Sequence, residues 1–265
     1  MHAWLVALIL LISFQSTAFA QSPAPIDIVF DIDWTTFYSI DSKEPNQQNH
    51  QTLAVEGKLY RATDHLTDVI ETLLIKYPEV RISFFSGGEK SRNESLLGSV
   101  YLSDGRSLKE IAHKVLSKAD LTVVSQNETL SFSERYKKNI DKGIPDWSSQ
   151  RTILIDDQVN FAKPPLVAVN SLGQFNYQNQ FDSSRTNEKH YPATEAQWAM
   201  ERNKALLWLA MIDFSIREAQ QSGKAFSQVA SEVWVKHWQS PLQMARGQQL
   251  IQRSAARFCS KVFAF

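Results

Sequence analysis

The stretch Ile26-Asp27-Ile28-Val29-Phe30-Asp31-Ile32-Asp33-Trp34-Thr35 decides how this 265-residue chain is read. From Ile26 to Ile32 it is short and mostly apolar, the pattern of a strand buried on both faces of a parallel sheet, yet it ends in carboxylates. Ligands of open α/β sheets bind in the crevice outside the carboxyl ends of the strands, so Asp31 and Asp33 stand where chemistry is expected. Outward from this point the chain turns polar between Phe37 and Gly57, which predicts an irregular flap. Leu66, Val69, Ile70, Leu73 and Leu74 then recur at helical spacing until Pro78. Val80–Phe85 is a second strand, running into Ser86-Gly87-Gly88, where glycines let a backbone turn sharply near a ligand. Leu108, Ile111, Ala112 and Val115 predict a helical face. Residues 121–124, 151–155 and 166–169 predict three more strands. Strands alternating with helices imply right-handed crossovers and a doubly wound parallel α/β sheet.

A second acidic pair, Asp156-Asp157, ends the apolar run Thr152-Ile153-Leu154-Ile155, and packing gives no reason for acids there. If that strand neighbours the first, four carboxylates converge: Asp31, Asp33, Asp156 and Asp157. Like charges so close raise one another's pKa, and a divalent cation or a lysine is the usual relief. All-oxygen ligands without His or Cys indicate a hard ion such as Mg²⁺.

Phe30-Asp31-Ile32-Asp33-Trp34-Thr35 resembles the first motif, D-x-D-x-T after a hydrophobic run, of the haloacid-dehalogenase superfamily of phosphohydrolases. The resemblance implies an aspartyl-phosphate formed on Asp31, Asp33 as general acid and base, and a phosphate monoester as substrate. Phe84-Phe85-Ser86-Gly87 is similar to the second motif, which implies that Ser86 binds phosphoryl oxygens beside Gly87 and Thr35. A lysine is the third motif. Tyr136-Lys137-Lys138-Asn139-Ile140 resembles a stretch of the RNA-polymerase C-terminal-domain phosphatase branch, so Lys138 is the first choice for balancing phosphoryl charge, with Lys137 and Lys142 as rivals. Arg151–Asp157 resembles that branch's fourth motif, whose acids hold Mg²⁺. Trp34 departs from the Glu, Gly or Asp usual before the Thr. An open site with a small cap could admit a phosphoprotein, and a small organic phosphate is the other substrate class.

The remaining segments set the organisation. Residues 1–20 combine an apolar run with Ala18-Phe19-Ala20, which reads as a cleaved export signal and a periplasmic or secreted protein, with no membrane span left after cleavage. The phosphatase core is expected over residues 21–172, a polar loop over 173–193 and a helical extension over 194–265. Within the extension, Thr194-Glu195-Ala196-Gln197 and Ser240-Pro241-Leu242-Gln243 read as capping boxes. The first would open one helix to about Gln221, ahead of another from Phe226 to about Trp238. Lys and Arg number 28, as do Asp and Glu, so no overall field draws in nucleic acid, and none is expected as partner. The one cysteine, Cys259, excludes an internal disulfide and reads as a buried apolar residue. Trp198, Trp208, Trp234 and Trp238 carry the competing reading, a non-catalytic binding protein that holds its partner on a tryptophan-rich helical tail, although packing within the core explains them as well.

Overall fold

The computed structural model describes residues 24–49, 51–237 and 240–262. The expectations for residues 1–20, for Trp238 and for the side chain of Cys259 lie outside the described residues.

Strand β1 (Ile26–Asp31) is buried at every position. In place of the irregular flap expected after it stand β2 (Phe37–Ile40), β3 (Leu53–Val55) and β4 (Lys58–Ala62), an antiparallel sheet in the order β2-β4-β3. These strands hold three to five residues each, too few to show a period. Glu56 and Gly57, at φ 48° and 75°, close the β3–β4 hairpin in the mirror-image turn that suits strand twist. The commoner Asn-Gly or Asp-Gly signal is absent from it.

Helix α1 (Leu66–Lys76) buries Leu66, Val69, Ile70 and Leu73, as its spacing predicts. It leads through β5 (Val80–Phe85) to α2 (Lys90–Gly98), a polar helix with only Asn93, Leu96 and Leu97 buried and so with no apolar stripe to announce it. The helix expected from Leu108 to Val115 is a single turn, α3 (Leu108–Ile111), capped reciprocally by Ser107 and Glu110. Val115 lies instead in β6 (Lys114–Leu116), the outer strand of the main sheet. The segment β7 (Leu121–Val123), expected in that sheet, pairs antiparallel with β8 (Tyr136–Lys138) after the one-turn α4 (Phe132–Arg135). Four apolar residues at spacings of three, one and three fit a helix, or a turn followed by a strand, equally well.

With β9 (Thr152–Asp156) and β10 (Val167–Asn170) the main sheet is complete, all parallel, in the order β10-β9-β1-β5-β6. The fold is therefore the doubly wound α/β class that the sequence predicts. Chain order reverses beside β1, with β5 on one side and β9 on the other, so the crevice opens at the carboxyl ends of β1 and β9. Ile28, Phe30, Ile82 and Phe84 face one apolar layer, and Val29, Phe85 and Leu154 face the other.

Four helices follow: α5 (Glu195–Arg202), α6 (Lys204–Ser222), α7 (Phe226–His237) and α8 (Pro241–Val262). The single helix expected to about Gln221 is broken at Asn203. Thr194 caps α5 through the Gln197 amide, while the Gln197 side chain accepts from Ala193 N–H at 2.8 Å, so the box closes one residue early. The extension packs on the sheet. Trp208 is fully buried with its ring 5.6 Å from that of Phe30, and Trp234 is buried with its indole N–H on the Asn170 carbonyl at 2.7 Å. Trp198 is half-buried and donates to the Gln178 carbonyl at 2.9 Å. Trp208→Ala should therefore cost about 3–5 kcal/mol, read as a lower urea midpoint. A tryptophan serving as an exposed platform would leave the midpoint in place. No helix among the described residues is long and apolar enough to cross a membrane.

Candidate active site

Pairing of Phe30 with Ile155 brings the ends of β1 and β9 to one level, so Asp31 and Asp156 emerge side by side. Asp157 follows in the next position. Oxygens of Asp31, Asp156 and Asp157 lie within 4.8 Å of one another, the first two residues buried and the third partly so. Lys138, the last residue of β8, is completely buried, and its ammonium donates to Asp31 and, at 2.7 Å, to Asp156. Of the three lysines that competed for this position, it alone makes those contacts. Lys137 donates to the carbonyls of Ser133 and Asn160, and Lys142 is exposed in the turn after Ile140.

The electrostatics follow from that packing. Burial pushes the Asp31 carboxyl well above the usual carboxylate range, Lys138 pulls it back, and Asp156 and Asp157 add to the rise. Asp157 is raised by burial and then by Asp156. Burial works against the charge on Lys138, but the two carboxylates outweigh it and hold the ammonium above its ordinary value. With all four groups ionised the set carries 1 − 3 = −2 charges, which one divalent cation balances. The oxygen-only donor set fits a hard ion of the Mg²⁺ kind.

Asp33 does not join this group. Its carboxylate is gripped by the Arg92 guanidinium at 2.6 and 2.8 Å and by the Ser86 hydroxyl at 2.6 Å, so three carboxylates converge rather than the four expected. Burial raises its pKa, but the hydrogen bonds and charge of Arg92 dominate and hold it below the usual range. Ser86 is fully buried. Its oxygen also accepts from the Gly88 amide and from Arg92, both at 2.9 Å. A Cβ at Gly88 would stand 2.1 Å from the Arg92 guanidinium, so only glycine lets that side chain cross the strand end to Asp33. Gly87 packs against Phe132, and a Cβ there would come 2.7 Å from its ring. Thr35, expected to touch substrate, is fully buried, with its hydroxyl 3.1 Å from that of Ser171 and its carbonyl accepting from Thr63. It secures the turn from behind.

Arg92 is the residue that sequence reading missed. Its signal is faint: an arginine six positions after Ser86, in the first turn of a helix without apolar period. Trp34, the departure from the expected motif, sits at φ 65° with its ring 5.0 Å from that of His190, so the polar loop covers it. The same loop holds the small sheet, through Asn46 to Gln178 at 2.9 Å and Tyr38 edge-on to Tyr177 at 5.4 Å.

A five-stranded parallel sheet carrying acids on two adjacent strand ends and a buried lysine between them defines an α/β protein with a candidate metal-dependent centre. No family model matches the chain, and no curated protein does. Among solved structures it is similar to fission yeast RNA polymerase II CTD phosphatase Fcp1 bound to beryllium fluoride. There the identity is 15% and the TM-score 0.36, over 81% of this chain and 64% of that one. A second structure, of Fcp1 described as an essential RNA polymerase II CTD phosphatase, is 13% identical at a TM-score of 0.37, over 88% of this chain and 63% of the other. The chain thus spans less than two thirds of either. Both superpositions are loose, and the functional reading rests on the geometry of the site.

Proposed function

We propose that the chain is an exported, Mg²⁺-dependent phosphoric monoester hydrolase of the haloacid-dehalogenase type, acting through phosphorylated Asp31 on a phosphoprotein or a small organic phosphate. One observation carries this reading: Asp31, Asp156 and Asp157 meet at two adjacent strand ends, with Lys138 buried between Asp31 and Asp156. Removing charged groups from water is costly, and an apolar core would be at least as stable, so fold stability alone does not account for the set.

Chemistry assigns the roles. An Asp31 oxygen attacks phosphorus while the bond from phosphorus to the ester oxygen breaks, and Asp33 delivers the proton that the leaving oxygen needs. Water then attacks the phosphorus of the aspartyl-phosphate, giving its proton to Asp33, and the departing phosphate restores the Asp31 carboxylate. Lys138 fixes the nucleophile and offsets the charge that gathers at the reacting centre. Asp31, Asp156 and Asp157 would hold Mg²⁺, which supplies the positive charge that lets a carboxylate approach an anionic phosphoryl group.

As found, Asp33 is set for the second half of this cycle, because Arg92 keeps it ionised. The oxygens of an arriving phosphoryl group are anions that compete for Arg92, and its departure frees Asp33 to carry a proton. Arg92→Gln is therefore expected to lower kcat/KM about a hundredfold, the scale of losing one donor to a developing oxyanion. Steady-state kinetics on an aryl phosphate measure it, and an unchanged kcat/KM removes Arg92 from the mechanism.

Phosphate release from an aryl phosphate should require Mg²⁺, vanish in EDTA and return when Mg²⁺ is added in excess. A folded protein that releases no phosphate from aryl phosphates, sugar phosphates, nucleotides or phosphopeptides contradicts the proposal.

A further inference from the structure

We infer that Lys204 is a positioning residue for the catalytic turn, holding the Trp34 carbonyl, so that the C-terminal helices belong to the catalytic unit. This rests on the proposed phosphatase reading only for its kinetic consequence. The turn itself is visible without it.

Lys204 is an improbable residue on stability grounds. It is the first residue of α6, where the helix dipole opposes a cation, and it is completely buried ahead of the apolar run Ala205–Ile212. Its ammonium donates to Glu201 Oε1 at 2.6 Å and to the Trp34 carbonyl at 2.9 Å, and lies 4.6 Å from the centre of the Tyr38 ring. Glu201 also accepts from the Tyr38 hydroxyl, while its buried Oε2 has no hydrogen-bond partner. Apolar residues of similar volume would satisfy this space without charge burial. The break at Asn203, which splits the expected long helix, lies between Glu201 and Lys204, and the two side chains meet across it.

What the lysine reaches is the strained part of the turn. Trp34 holds a left-handed backbone that a residue with a Cβ adopts only under constraint. The neighbouring carbonyls are secured by the turn itself or by the residue that follows β4: Asp31 by the Thr36 hydroxyl, Ile32 by the Thr36 and Phe37 amides, Thr35 by the Thr63 hydroxyl and Thr36 by the Thr63 amide. The Trp34 carbonyl is bonded instead by a side chain from the helical extension. That carbonyl belongs to the peptide joining Trp34 to the buried Thr35, one residue beyond Asp33, so letting it turn loosens the setting of Asp33 against Asp31. Misplacement on that scale costs rate, while substrate binding changes little.

Lys204→Met alone would strand the Glu201 carboxylate, so the test compares Glu201→Gln with the double variant Glu201→Gln/Lys204→Met in the full chain. Native-state hydrogen exchange at the Trp34, Thr36 and Phe37 amides is the primary readout. All three are hydrogen-bonded within the turn. The double variant should exchange there at least about tenfold faster than Glu201→Gln, with β1 unchanged. Its kcat should fall about a hundredfold with KM within about twofold. Equal exchange in the two variants overturns the inference, whatever the kinetics show. Faster exchange in a protein with no phosphatase activity leaves the inference standing and removes the proposed function. Should the double variant not fold, Glu201→Gln/Lys204→Leu, which likewise has no donor for the Trp34 carbonyl, is compared with Glu201→Gln in the same way and decided by the same amides.

Discussion

Asp31→Asn is expected to lower kcat by about 10⁴-fold or more, because an amide cannot take the place of a carboxylate that, on the proposed mechanism, attacks phosphorus. The change nearly preserves shape, and Lys138 keeps its contact with Asp156. Burial and two neighbouring acids already oppose ionisation of Asp31, so removing its charge relieves repulsion as well as losing an ion pair. The urea midpoint should accordingly move little, and the Mg²⁺ dependence of that midpoint should weaken. Measuring kcat and the midpoint on one preparation separates loss of chemistry from loss of fold. Substantial phosphate release by Asp31→Asn would move the nucleophile elsewhere.

Lys138→Met is expected to be the most destabilising single change at the site. It leaves Asp31 and Asp156 buried beside Asp157 without their cation, and breaking a buried ion pair from one side costs about 3–5 kcal/mol. The loss should be largest in EDTA and partly recovered in Mg²⁺, since a second source of positive charge binds only the folded form. At a hundred times its dissociation constant such an ion contributes about 2.7 kcal/mol. Urea titrations of both proteins, with EDTA and with saturating Mg²⁺, read the effect directly. A variant as stable as the parent in EDTA would mean that the acids are protonated and Lys138 unimportant to them. A midpoint that Mg²⁺ shifts in neither protein would mean that no ion binds there.

Much of this arrangement is legible before folding, for reasons particular residues make plain. Ile26–Ile32 and Thr152–Ile155 are mostly apolar, as strands covered on both faces require, and their acidic ends have no packing explanation. The contest among Lys137, Lys138 and Lys142 could not be settled from adjacency, because it depends on which way β8 turns its side chains as it pairs with β7. The convergence of four acids fails at Asp33 because a partner that spacing does not reveal holds it aside. Arg92 lies on a polar helix and reaches Asp33 only because Gly88 leaves room. Periodicity likewise could not separate Leu108–Ile111 from Lys114–Leu116, where a turn and a short strand reproduce the spacing of one helix. Nor could it find the break at Asn203, since Lys204 and Glu201 answer to a loop some 170 positions earlier in the chain.

On the proposed mechanism Asp31 becomes phosphorylated during turnover. Mixing the protein with a rapidly hydrolysed aryl phosphate and Mg²⁺, quenching in acid and reducing with borohydride converts an aspartyl-phosphate to homoserine, which peptide mass spectrometry can place. Homoserine at position 31, absent when substrate or Mg²⁺ is withheld, is the expected result. Steady phosphate release with unmodified Asp31 in every quenched sample, or homoserine at another acid, contradicts the account.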